Sequence, residues 1–166
     1  MNNPVLSQQS NEKPTILVVD DEENNLAILE SYLIDAGYDV ITATNGKEAW
    51  DFLKIFGENV SLILLDRMMP VMDGMEFMKL LKGHPRHYEI PIIMQTAAAM
   101  RNQVEEGIKC GVYYYLRKPF DEEMVLKLIR QALKGRRNIR VLRKRQISDD
   151  GKSEDMYYSP TLFKDI

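Results

Sequence analysis

The stretch LILLDRMMPVMDGMEF, residues 62–77, decides how the rest of the chain is read. Its first four residues, Leu62-Ile63-Leu64-Leu65, form an apolar run without polar alternation, as expected of a strand buried on both faces. The run stops at Asp66, and a loop rich in Met and Pro follows. From Gly74 the period changes. Met75, Phe77, Met78 and Leu81 fall on one side of a predicted helix that runs to Lys82. A short strand, an acid at its carboxyl end and a helix make one unit.

The same unit recurs on both sides of this stretch. Ile16-Leu17-Val18-Val19 is a strand that ends in Asp20-Asp21, and residues 22–36 (Leu26, Ile28, Leu29, Leu33, Ile34) form a helix stopped by Gly37. Tyr38 to Thr42 is a second strand, followed by a helix from Gly46 to Phe56 that Gly57 stops. Ile90 to Met94 is a fourth strand, starting around Pro91, where a strand's first residue tolerates proline. Its end runs into Thr96, and a helix is expected from Met100 to Lys109. Val112 to Leu116 is a fifth strand, and Asp121 opens a fifth helix (Met124, Val125, Leu128, Ile129, Ala132, Leu133). Five such units predict an α/β fold, a doubly wound five-stranded parallel sheet with five helices on its two faces.

Length and composition agree with that reading. A chain of 166 residues holds one ordinary domain and a remainder. One cysteine excludes an internal disulfide and fits a reducing compartment, so the expected location is cytoplasmic. No apolar run approaches the roughly 18 residues of a membrane span, and the polar N-terminus is no secretory signal. The net charge of −3 is a sum of unlike parts. Residues 14–133 hold 12 Lys/Arg against 19 Asp/Glu, whereas residues 134–148 hold seven Lys/Arg and no acid. The expected organisation is a disordered leader (1–13), a folded domain (14–134) and a basic helical extension with a linker or tail (135–166). The spacing permits the last helix to continue past Gly135. The basic segment reads first as a solvated extension, then as a helix that pairs chains. No aromatic platform or reading motif accompanies it, so nucleic-acid binding through this chain is not expected. The end of the chain reads as a linker into a further domain, as in the front end of a longer regulator.

In a parallel α/β sheet, ligands bind beyond the carboxyl ends of the strands. Asp20-Asp21, Asp66, Thr96 and Lys118 sit there. Three carboxylates in one cleft repel one another unless a cation joins them. An all-oxygen set without His or Cys selects a hard ion such as Mg²⁺. Lys118 suits an anionic group such as a phosphoryl oxygen, and Thr96 offers a hydroxyl donor. Taken singly, each has an ordinary alternative: helix-capping acids, a loop acid, a solvated lysine. Together they describe phosphoryl transfer to an aspartate. An aspartyl-phosphate phosphatase of the haloacid dehalogenase type uses similar groups, but it needs an acid two residues after its nucleophile, where this chain has Met68.

With ILVVDDEENN (16–25), LILLDRMMPVMDGMEF (62–77), PIIMQTAAA (91–99) and YLRKPF (115–120), the chain closely resembles the receiver domain of two-component response regulators over residues 14 to about 134. The resemblance implies a flavodoxin-like receiver fold with Asp66 as phosphoacceptor. A histidine kinase or histidine phosphotransfer protein would be the donor. It implies Mg²⁺ held by Asp20, Asp21, Asp66 and the backbone carbonyl of Met68. Lys118 would contact the phosphoryl oxygen, and Thr96 and Tyr115 would be the switch pair. The output surface would be the fourth helix, fifth strand and fifth helix, through which, or through the extended last helix, two chains could pair. Such a domain is a regulatory module rather than a turnover enzyme; it catalyses only its own phosphorylation and dephosphorylation.

Other residues read more plainly. Asn25 matches a position often Asn in hybrid kinases and some multidomain regulators. Met68 and Ala98 flank the site with apolar side chains that place no water, which predicts a long-lived phosphoryl group. His84 and His87 read as surface histidines, Cys110 as a small packing residue, and the methionines as packing.

Overall fold

The β-branched and leucine-rich runs form strands, and the three central ones are covered on both faces. In the computed structural model, which describes residues 13–97 and 101–146 and side chains outside 101–104 and 136–146, the strands are β1 (Thr15–Val19), β2 (Asp39–Ala43), β3 (Val60–Asp66), β4 (Ile92–Thr96) and β5 (Tyr114–Arg117). The helices are α1 (Glu23–Asp35), α2 (Gly46–Phe56), α3 (Gly74–Gly83), α4 (Arg101–Cys110) and α5 (Glu122–Gln146), with a short 3₁₀ turn at Gly57–Asn59. All pairings are parallel, in the order β2-β1-β3-β4-β5. The expected doubly wound sheet is therefore the observed fold.

Alternation along the strands splits the core in two. Leu17, Val19, Ile63, Leu65, Ile92 and Met94 pack with α2 and α3 residues, among them Ala49, Leu53, Phe77 and Leu81. Ile16, Val18, Leu62, Leu64, Ile93 and Leu116 pack with Leu29, Leu33, Val125 and Ile129 of α1 and α5. Burial of these side chains, at roughly 1.5–3 kcal/mol each, drives the fold. The described residues divide into two units, one ending at Lys134 and one starting at Gly135; in the second, residues 135–146 are helical. No helix among the described residues is long and apolar enough to cross a membrane.

Element ends differ from the sequence reading for identifiable reasons. β2 starts at Asp39, not Tyr38, because the Tyr38 N–H closes α1 by bonding the Leu33 carbonyl at 3.0 Å. Gly37, at φ 87°, makes the companion bond to Ile34, a left-handed helix stop that glycine adopts without strain. β5 starts at Tyr114 for the same reason, since Val112 N–H caps α4 on Gly107. β4 spans Ile92–Thr96 instead of 90–94, because Pro91 has no N–H for the ladder; its carbonyl still accepts from Ile63. The start of α3 carries a signal the sequence reading missed. Asp73 accepts from Met75 and Glu76 N–H, and Glu76 accepts from Asp73 N–H, a capping box.

The reading of His87 as a surface residue is corrected; His84 is half-buried. His87 is 3% exposed. It stacks on His84 with centroids 4.4 Å apart, and the edge of Trp50 meets both rings. Gly57 is glycine because this ring lies over it: a Cβ there would stand 2.8 Å from His87 Nδ1. Cys110 is half-buried against the α2–α3 side of the core, as expected of a packing residue. The leader, the tail and Ala98 lie outside the described residues.

Candidate functional site

The chain leaves β1 at Asp20, whose N–H bonds the Ala43 carbonyl at 3.1 Å, so the register of β1 on β2 fixes its position. Its side chain is fully buried. One carboxylate oxygen accepts from the Glu22 N–H at 2.9 Å, and the other accepts from Lys118 Nζ at 2.8 Å. Asn25 Nδ2 reaches the same oxygen at 3.5 Å and donates to Glu22 at 2.6 Å. The N-cap of α1 is Glu22, without a side-chain cap bond, so the acid pair is not spent on capping. Asp21 is exposed at the rim.

Asp66 is the last residue of β3 and is 6% exposed. The loop behind it is held tightly. Arg67 N–H bonds the Gln95 carbonyl at 3.1 Å, and Gly74 N–H bonds the Arg67 carbonyl at 3.0 Å. Gly74 approaches so closely that a Cβ would stand 3.0 Å from Arg67 Cα. Between them, Met72 N–H bonds the Pro70 carbonyl at 2.8 Å with Val71 at φ 71°. That is the strained, positive-φ form of the γ-turn, at a β-branched residue. Strain beside a buried carboxylate is what a functional loop tolerates and a neutral loop avoids.

β4 and β5 complete the pocket. Thr96 is 5% exposed, and its carbonyl accepts the Lys118 N–H at 2.9 Å, which draws Lys118 over the strand ends. Lys118 Nζ then lies 3.5 Å from Asp66 and 2.8 Å from Asp20. One carboxylate oxygen from each of Asp20, Asp21 and Asp66 falls within 4.8 Å of the others. These are oxygen donors only, with excess negative charge, so they fit a hard divalent cation.

Electrostatics follow from this crowding. Burial pushes the Asp66 carboxyl up to about 6; Lys118 and a hydrogen bond from the Met68 main chain oppose the rise, while the charges of Asp20 and Asp21 add to it. Burial alone would lower Lys118, but its bond to Asp20 and the charges of Asp66 and Asp20 hold it above the ordinary lysine range. An ammonium bound to one carboxylate and near a second can exchange a partner for an incoming anion at small cost. A partly desolvated carboxylate is correspondingly a better nucleophile than a hydrated one.

The structure gathers Asp20, Asp21, Asp66 and Lys118 at one edge, with Thr96 at the adjoining strand end. Tyr115 is half-buried on β5 and by strand alternation shares a face with Thr96. Met68 exposes its side chain at the rim. Two groups near the site went unread in the sequence. Arg67 follows Asp66 and pairs with Glu106 at 2.8 Å. Gln95, between Asp66 and Leu116 in register, is fully buried, and neither amide atom is hydrogen-bonded among the described residues. A glutamine inside the otherwise apolar run PIIMQT was the available signal.

Comparison with known proteins gives one direction. The family model described as response regulator receiver domain matches residues 16–130. A chemotaxis protein CheY homolog of Campylobacter jejuni is 34% identical over 119 residues, 71% of this chain and 91% of that protein. The response regulator PleD of Caulobacter vibrioides is 37% identical over 134 residues, 80% of this chain but only 29% of PleD. Among solved structures, chemotaxis response regulator CheY4 of Vibrio cholerae aligns with TM-score 0.69 and 32% identity, over 73% of this chain and 99% of that one.

Proposed function

The chain belongs to the response regulator receiver domain family, and from that premise we propose that Asp66 is its phosphoacceptor. A carboxylate oxygen of Asp66 attacks the phosphorus of a phosphohistidine on a histidine kinase or histidine phosphotransfer protein. An acyl-phosphate O–P bond forms, the P–N bond breaks, and the departing imidazole keeps the electron pair and takes a proton from water. The observation that carries this reading is a buried Asp66 with the Lys118 ammonium 3.5 Å away and two further carboxylates beside it.

Asp20, Asp21, Asp66 and the backbone carbonyl of Met68 would hold Mg²⁺. When bound, the ion offsets carboxylate charge and draws in the phosphoryl oxygens. Lys118 releases Asp20 and pairs with a phosphoryl oxygen; the Thr96 hydroxyl donates to another. Movement of Thr96 is followed by Tyr115 on the same sheet face. The surface of α4, β5 and α5 thereby changes shape, as a population shift between two forms close in energy. That surface, or the last helix, serves an output partner or a second copy of the chain. The domain spans residues 14–134, with residues 135–166 a basic extension and linker, and it acts in the cytoplasm. It is a regulatory module, not a turnover enzyme. The exposed, apolar side chain of Met68 beside the pocket places no water, which gives the phosphoryl group a long life.

The test is intact-mass spectrometry after incubation with acetyl phosphate and Mg²⁺. The wild-type chain is expected to gain one phosphoryl group and Asp66→Asn none. A folded, Mg²⁺-binding wild type that gains nothing overturns the proposal.

A further inference from the structure

Arg67 follows Asp66 but belongs to the other face of the sheet. Its guanidinium lies 4.0 Å from the Met94 sulfur, and its side chain is 11% exposed. There it forms an ion pair at 2.8 Å with Glu106 of α4, 39 residues away. The charges of Arg67 and Glu106 both act on the hydroxyl of Tyr115, in opposite senses. A guanidinium presents several donors in a fixed fork, so one Arg can hold Glu106 while its charge faces Tyr115.

A second observation meets the first. Tyr115 carries its hydroxyl across the surface of α4 at Gly107. A Cβ on Gly107 would stand 2.8 Å from Tyr115 Cζ, nearer still to the hydroxyl, and 3.2 Å from Val112. Glycine within a helix is unfavourable relative to alanine. Here it leaves the space that the tyrosine fills.

We propose that Arg67 is a positioning residue: with Glu106 and Gly107 it seats Tyr115 on α4, and so ties the α4–β5 face to the strand end that carries Asp66. The receiver reading supplies the use of this tie, as the route by which a change at Asp66 reaches the output surface. The seat itself needs no phosphoryl group. Glu106 is about half exposed, so the ion pair alone is weak; the space left at Gly107, which the Tyr115 hydroxyl fills, makes the arrangement specific.

The test uses the full chain labelled with 3-fluorotyrosine, without phosphodonor or Mg²⁺. Loss of one ¹⁹F resonance in Tyr115→Phe identifies Tyr115. Arg67→Met, Glu106→Gln and Gly107→Ala are each expected to move that resonance toward its value in the unfolded chain while the other seven tyrosines keep theirs. Arg67→Met/Glu106→Gln should move it no further than Arg67→Met, because both break one seat. Gly107→Ala keeps both charges and favours helix, so the test survives a failure of Arg67→Met to fold. A Tyr115 resonance unmoved in folded Arg67→Met or in Gly107→Ala overturns the proposal. Asp66→Asn should leave it in place, so a failure of Asp66 as phosphoacceptor would appear in the mass measurement and not here.

Discussion

Removing the charge of Asp66 should make the protein more stable at neutral pH and not at acid pH. Burial moves the Asp66 carboxyl from its ordinary 3.8 to about 6. At about 1.36 kcal/mol per pH unit, the folded chain carries about 3 kcal/mol of cost for holding this carboxylate charged. The side chain is only 9% exposed, so solvent screening removes little of it. The sign follows from proton counting. Between pH 3.8 and 6 the folded state binds the proton that the unfolded state has lost, so stability falls as pH rises through this window and is lowest above it. Asp66→Asn keeps the shape and removes the charge. It leaves Lys118 with its 2.8 Å partner Asp20, so no ammonium is stranded. Urea unfolding in EDTA should show Asp66→Asn more stable than wild type by about 3 kcal/mol at pH 8, shrinking to near zero at pH 4. Added Mg²⁺ should then stabilise wild type more than the variant, because a ligand of the folded state adds stability by mass action. A variant that is less stable than wild type at pH 8 in EDTA, or an offset independent of pH, refutes the reasoning.

Gln95 is buried with both amide atoms unpaired among the described residues, a defect of about 1–3 kcal/mol; Gln95→Leu should raise the urea midpoint, and a fall would mean that the amide has a bound partner such as water. Val71, at φ 71° and 81% exposed, loses little packing on replacement, so Val71→Gly should gain about 1 kcal/mol from relief of strain, read as a higher melting temperature. If the variant melts lower, the turn is not strained. His87 is held below the usual histidine range by burial, with His84 and Arg86 acting in the same direction and Glu58 against them. The unfolded chain therefore takes the proton first, and stability contributed by neutral His87 is lost as pH falls below 6.5. Trp50 fluorescence during urea unfolding at pH 7.5 and 5.5 should show that loss in wild type and a smaller one in His87→Phe; equal losses in both would remove His87 as the cause.

Much of the site was legible because the strand–helix period is local. Each apolar run named its own end, and Asp20, Asp21, Asp66, Thr96 and Lys118 were found by looking one or two residues beyond. Element starts were harder. Whether an N–H joins a ladder or closes a helix, as at Tyr38 and Val112, depends on which acceptor arrives. His87 was misplaced because a polar residue in a polar loop, LKGHPRHYE, shows nothing of the Trp50 and Gly57 that cover it.

The alternation of strands and helices, the parallel sheet and the set of acids at strand ends are written along the chain, since side-chain period and burial preference act over a few residues. The tertiary structure decided which of these groups meet. Sheet order does not follow chain order, and only that order brings Lys118 to Asp20 across 98 residues and Arg67 to Glu106 across 39. It also decided how far Asp66 departs from an ordinary aspartate, because desolvation depends on what surrounds a carboxylate in space and not on its neighbours along the chain.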